Sequence, residues 1–261
     1  MFSLFQNWRR RRFLKHHRIP EMDWRMTVAG LPLLDSLSPD ERERLRDLAT
    51  LFLHEKTLEP AGGLALTPEM GPCIAAQACL PILNLGLDYY QSWSAVILYP
   101  EGFLAQHEYT DPIGLVHKVR RPLSGEAWQY GPVILSWADI VATAAEPGVN
   151  VVIHEMAHKL DMLTGSVNGL PPLHRSMSVS EWSRALTTAY DSLCRDVDRG
   201  RLTALDSYAA ENPGEFFAVI SEVFFKAPDI LYTAYPEVYG QLSGFYRQNP
   251  LTRPSPKGRG N

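Results

Sequence analysis

Cysteine is scarce in this chain: Cys73, Cys79 and Cys194 are the three among 261 residues. An odd, scattered set with no C-x-x-C spacing is a poor disulfide framework. It predicts reduced thiols in a cytoplasmic protein, mostly serving as small core residues. No apolar run reaches the roughly 18 residues that cross a bilayer, so no membrane partner is expected. Excess positive charge is missing as well. Lysine and arginine number 25 against 29 aspartates and glutamates, for a net charge of -4 and a pI near 6.1, so charge alone gives no case for direct nucleic-acid binding. Internal repeats and interior linkers are also absent. Apolar residues make up 45% and charged residues 21%. That balance excludes wholesale disorder and permits one large domain with a sizeable core.

The N-terminus reads M-F-S-L-F-Q-N-W-R-R-R-R-F-L-K-H-H-R. Its charges follow a short apolar start, the wrong order for a secretory signal. One reading is an arm that touches an acidic surface or membrane. The blander one is a solvated tail, or a short helix packed through Phe2, Leu4, Phe5 and Trp8, because charge runs are usually solvated. Helix starts follow at Ser38-Pro39-Asp40-Glu41, with Leu45, Leu48 and Phe52 at helical spacing, and at Thr67-Pro68-Glu69, with Pro81 closing that helix. Strands are predicted over 95–99 and 115–119, with two short ones in 124–137, of which 133–135 is the clearer. Helices return over 150–162, from the Ser178 cap, from Asn212 to about Lys226, and once more through Tyr232, Tyr235, Tyr239 and Phe245. Helices, a small sheet, then helices make an α+β pattern. The expected organisation is a partly ordered arm (1–30), one domain (31–251) and a disordered Pro, Gly and basic tail (252–261).

The chemistry is concentrated in V-V-I-H-E-M-A-H-K-L-D, residues 151–161. His154 and His158, four apart on a helix, share one face and can share one metal ion. Glu155 flanks that face about 100° around the helix, where it suits a base acting on water rather than a ligand. The neighbours Val151, Val152, Ile153, Ala157 and Leu160 make the helix a buried one, and buried histidines and a glutamate need partners.

Zinc needs a third protein ligand. No G-x-x-H follows His158. Asp161 is read as an orienter of a ligand or a helix-end group, and His174 stands in a loop-like P-P-L-H-R-S. The better candidate is Y-A-A-E-N-P-G-E-F-F-A-V-I-S-E-V-F-F, residues 208–225, where Glu215 and Glu222 share one face of an apolar helix. Glu215 as ligand and Glu222 as partner of a ligating histidine would satisfy both carboxylates. Glu215 also stands three after Asn212, so a capping-box role competes for it.

These segments, with L-P-I-L-N-L-G-L-D (80–88), D-P-I-G-L-V-H (111–117) and S-G-E-A-W-Q-Y-G-P-V-I-L-S-W (124–137), closely resemble the Mlc titration factor A family of bacterial zinc peptidases. The resemblance spans about Leu31 to Leu251. It implies a zincin-like fold similar to the catalytic domain of lethal-factor-type toxins, a gluzincin-type site with one zinc ion (Zn2+), and aminopeptidase activity on peptides in the cytoplasm. It implies His154, His158 and Glu215 as ligands and Glu155 as base. Tyr208, seven residues before Glu215, matches a tyrosine of the toxin-like pattern and would donate to an oxyanion. Some members also bind the transcriptional repressor Mlc and so regulate sugar uptake. An edge role for the strand at 133–135, beside which a peptide would lie, is a further expectation.

Overall fold

The computed structural model describes residues 2–110, 116–123, 125–127 and 130–252. Much of D-P-I-G-L-V-H and most of the tail expected to be disordered lie outside the described residues. The N-terminal stretch forms two helices, α1 (Phe2–His17) and α2 (Glu21–Ala29). Ile19 and Trp24 are buried in the same core as the rest of the chain, so this stretch is built into the domain rather than hung from it. Trp8 is 55% exposed.

Helix α3 (Pro39–Glu55) starts as predicted. Ser38 Oγ accepts from Glu41 N–H (3.2 Å) while Glu41 Oε2 accepts from Ser38 N–H (2.9 Å), satisfying two orphan donors. Its Arg46 donates to Ile19 O (2.9 Å), and its Thr50 accepts from Ile19 N–H (3.1 Å), bolting the N-terminal helices to the body. A short strand β1 (Thr57–Pro60) follows, unforeseen because T-L-E-P carries no alternation. Helix α4 (Met70–Cys79) begins three residues after Thr67, with Glu69 rather than Thr67 at its start, and stops before Pro81.

Next come β2 (Ala95–Tyr99), β3 (Phe103–Thr110), β4 (Val116–Leu123), β5 (Gly125–Ala127), β6 (Val133–Ser136) and a short helix α5 (Trp137–Thr143). Strands β3 and β4 form a separate antiparallel ribbon. The main sheet has the order β1-β2-β6-β5, with β1, β2 and β6 parallel and β5 antiparallel to β6. The expected edge at 133–135 is therefore corrected. Strand β6 is interior, flanked by Val96–Tyr99 on one side and Gly125–Ala127 on the other, and the edges among the described residues are β5 and β1. Full burial of Val133 and Leu135 fits an inner strand.

The C-terminal half is helical: α6 (Val151–Asp161), α7 (Val179–Asp198), α8 (Pro213–Lys226), α9 (Pro228–Ala234) and α10 (Pro236–Tyr246). The single helix expected over the tyrosines is two. Tyr235 takes φ -140° and ψ 68°, the extended bias that a following proline imposes, and the chain turns there. Helix α8 is buried on nearly every side. Phe217 meets Trp182 of α7 and Phe245 of α10 at ring separations of 6.0 and 6.3 Å. That packing presses α8 against α6 and sets the register of the site.

Candidate metal centre

Helix α6 starts at Asn150, whose side chain accepts from Ile153 N–H (2.9 Å). Val152, Ile153, Met156, Ala157 and Leu160 are fully buried, which leaves one face for polar groups. On that face His154 Nε2 lies 3.2 Å from His158 Nε2. Glu215 Oε2, from the first turn of α8, stands 3.0 Å from the first nitrogen and 3.3 Å from the second. The capping alternative for Glu215 is not the one adopted. Asn212 Oδ1 takes the N–H groups of Gly214 (2.9 Å) and Glu215 (3.0 Å), and the Glu215 carboxylate is turned to the histidines.

Glu222, two turns along α8, holds the other side of His154. Its Oε1 accepts from Nδ1–H at 2.7 Å, and its Oε2 accepts from Asn150 N–H. A donating Nδ1 leaves the Nε2 lone pair of a neutral ring directed at Glu215 and His158. The three donor atoms lie within 4.8 Å of one another. Ligands about 2.0–2.1 Å from a tetrahedral zinc stand about 3.3–3.4 Å apart. The observed spacings of 3.0, 3.2 and 3.3 Å fit such an ion with little movement. The donor set, two imidazoles and one carboxylate with no thiolate, is that of an open catalytic centre rather than a closed structural one.

The electrostatics are consistent with a site built to hold positive charge. Burial pushes the His154 imidazolium down, but hydrogen bonds to Glu215 and Glu222 outweigh it and hold the ring well above its ordinary value. Burial likewise pushes Glu215 up, and the two histidines outweigh it and keep the carboxyl well below the usual range. Glu155 is 4% exposed; burial lifts its carboxyl to about 7 against the pull of His154 and His158. Its Oε2 has no hydrogen-bond partner among the described residues, an orphan acceptor beside the three candidate donors.

Tyr208 sits in a short turn (Ser207–Ala210), its ring 6.1 Å from that of His154 and 43% exposed. It lines a cavity of about 630 Å³ together with Gly125, Val149, His154, Glu155 and Val223. Burial, then the Glu215 charge, raise its hydroxyl well above the usual value, so it stays a donor at neutral pH.

Asp161 departs from the orienting role and takes the helix-end one. It is fully buried, and its Oδ2 accepts from Gly169 N–H (2.7 Å), while Trp182 Nε1–H donates to Gly169 O (2.9 Å). Asp161 thus pins the loop after α6, and His158 Nδ1 has no partner among the described residues. His174 is not at the site: its Nε2–H donates to Phe245 O (2.8 Å).

Three residues that matter here had no mark in the sequence reading. Gly125 of the edge strand is one. A Cβ there would fall 2.7 Å from Glu155 Cγ and 2.8 Å from Cδ, so only glycine lets β5 lie against the carboxylate. Gly125→Ala is expected to displace Glu155 and to lower kcat/KM by about 100-fold, the cost of roughly 1 Å of misplacement. Metal content per chain should be unchanged, and the two assays together check it.

Asn150 and Gln77 are the others. Asn150 Nδ2–H donates to Gln77 Oε1 (2.7 Å), so a buried chain runs Gln77, Asn150, Glu222, His154. Gln77→Leu would strand a buried donor, at about 1–3 kcal/mol. It is also expected to weaken metal affinity by about tenfold, the low end for an outer partner of a ligand. Urea unfolding and chelator competition read the two effects separately.

Two histidines one turn apart, an adjacent buried carboxylate and a third acidic donor from a neighbouring helix define a metallopeptidase-type centre. The model of the glucose-regulated metallo-peptidase M90 family matches residues 5–247, and the chain belongs to that family. The match takes in the N-terminal helices, which extends the resemblance beyond its expected start at Leu31. The chain is 40% identical over 235 residues to Mlc titration factor A of Klebsiella pneumoniae, covering 89% of this chain and 88% of that protein. The protein of the same name from Escherichia fergusonii is 38% identical over 244 residues, 92% of each chain. That of Yersinia pestis is 40% identical over 227 residues, 86% of this chain and 84% of the other.

Proposed function

We propose that the chain is a zinc-dependent peptidase of aminopeptidase type, with His154, His158 and Glu215 as ligands and Glu155 as general base. The observation that carries this is the convergence of three donor atoms within 4.8 Å beside a buried, unpartnered carboxylate oxygen. A bound zinc ion would supply a Lewis acid that polarises a carbonyl and acidifies water. Glu155 accepts the proton of the attacking water and returns it to the leaving amine, a role suited to a carboxyl held near neutrality. The Tyr208 hydroxyl donates to the oxygen on which negative charge develops. Glu222 keeps the His154 ring in one tautomer and one orientation. The apolar wall of the cavity, with Val149, Val219 and Val223, suits a peptide side chain. Cys73, Cys79 and Cys194 are free, which supports a cytoplasmic setting. The test is zinc content with hydrolysis of matched peptides bearing free and acetylated N-termini. Cleavage of the free form alone supports aminopeptidase action, equal cleavage of both replaces it with endopeptidase action, and no cleavage of either rejects the reading.

The relatives' name, Mlc titration factor A, supports a second reading in which the chain acts mainly by sequestering the transcriptional repressor Mlc. Glu155→Gln separates the two, because loss of a catalytic carboxylate leaves a pure binding function untouched.

A further inference from the structure

The four consecutive arginines of α1 divide between two faces. Arg10 turns inward: its Nε and Nη2 donate to the two Glu55 oxygens at 2.7 and 3.0 Å, and Nη1 reaches Asp88 Oδ1 at 2.6 Å. Phe13, one turn on, stacks against His54 at 3.7 Å between ring centroids. These contacts fix α1 on α3. Arg9, Arg11, Arg12 and Lys15 are all exposed, and none has a carboxylate partner among the described residues. Trp8 is on the outward side too, 55% exposed, with the Arg12 guanidinium 5.6 Å from its ring centroid. Positions 8, 12 and 15 follow helical spacing, so an indole and two cations run in one outward stripe, flanked by Arg9 and Arg11.

The charge distribution is as uneven as the packing. Six of the 25 lysines and arginines stand in the first 20 residues, which contain no aspartate or glutamate, leaving nineteen to oppose 29 acidic residues elsewhere. An acidic body thus carries one cationic helix, clamped in place through Arg10 with Arg9, Arg11, Arg12 and Lys15 turned out.

We propose that the outward face of α1 docks on an anionic lipid surface, with Trp8 at headgroup level and Arg9, Arg11, Arg12 and Lys15 against lipid phosphates. Cations near such a surface gain from its negative potential, and an exposed indole favours the boundary between headgroups and chains. A helix that combines both is the interfacial type. A nucleic-acid backbone would satisfy the cations but gives no use to an outward indole preceded by the apolar M-F-S-L-F. This contact departs from the expectation of no membrane partner. It requires no membrane span, and no helix among the described residues is long and apolar enough to cross a bilayer. It is independent of the metal centre.

The test is co-sedimentation of the full chain with phosphatidylcholine vesicles, with and without phosphatidylglycerol, at low and high salt. Binding is expected only with phosphatidylglycerol and is expected to be released by salt. The triple variant Arg9→Gln, Arg11→Gln, Arg12→Gln should bind roughly 100-fold more weakly. The matching triple Arg→Lys variant should bind as the wild type does, which separates charge from helix integrity, and Arg10 is kept in both. Trp8→Ala should weaken binding at low salt, where the wild type binds, with every cation retained. Absence of a phosphatidylglycerol preference, unchanged binding by the glutamine variant, or tighter binding to duplex DNA than to vesicles would overturn the proposal.

Discussion

Glu215→Ala is expected to abolish stoichiometric zinc binding while leaving the fold intact. The carboxylate supplies one of three donors, and its Oε2 stands 3.0 and 3.3 Å from the two ligand nitrogens. Loss of an outer partner costs 10–100-fold in affinity, and loss of a direct ligand should cost more than 100-fold. The usual objection, that an alanine in the first turn unravels the helix, has little force here. Asn212 caps α8 through the backbone N–H groups of Gly214 and Glu215, which alanine retains. Pro213 and the buried run Phe216 to Phe225 hold the rest. Metal analysis after dialysis, with thermal unfolding of the same samples, checks both halves. Full zinc retention by the variant would remove Glu215 from the ligand set and send the search to the remaining carboxylates of the cleft. Peptidase activity should fall with the zinc, since the remaining two histidines hold an ion poorly.

The parts of this site that were legible in the sequence are those governed by local rules. Helical spacing alone puts His154 and His158 on one face, and the apolar residues around them mark the helix as buried. Glu222 was legible for the opposite reason, as a carboxylate in a helix rich in Phe, Val and Ile, where only a donor or cation could justify it. The bond to His154 Nδ1 at 2.7 Å is that donor. Glu215 was ambiguous because two local rules, capping and ligation, predict the same residue at the same place, and only the direction of the side chain decides between them.

What was not legible is what depends on residues far apart in the chain. The Gln77–Asn150 bond spans 73 positions, and neither residue carries a signal that names the other. Gly125 is explained by the Glu155 side chain beneath it, a contact between a strand and a helix 30 positions on. The edge of the sheet is hidden for a related reason: 133–135 has the stronger strand composition because it is the buried inner strand, whereas the edge beside it is three residues of G-E-A with almost no strand signal. Asp161 allows two readings on helical spacing, an orienter of a ligand or a helix-end group, and the backbone N–H of Gly169, brought back by the loop after α6, decides for the second.

Glu155→Gln is expected to retain zinc and lose activity by about 10²–10⁴-fold in kcat, the usual worth of a general base. The amide has the shape of the carboxylate, so the close fit against Gly125 is preserved and the ligands need not move. What disappears is the ability to take a proton. In the wild type the carboxyl is held at about 7 by burial, and its Oε2 is unpartnered, so it is available to a substrate water without first breaking another bond. Glu222, by contrast, is engaged on both oxygens, with His154 and Asn150. Glu155→Asp tests the same assignment by distance. Withdrawing the group by one methylene keeps the basicity and should leave partial activity, above the amide and below the wild type. Zinc retained by an inactive Gln variant, with repressor binding unaltered, would assign catalysis to Glu155 and show that hydrolysis and any partner function are separable. Wild-type turnover in the Gln variant would place the base elsewhere. Tyr208 could not replace it as the base, because its hydroxyl stays protonated at neutral pH.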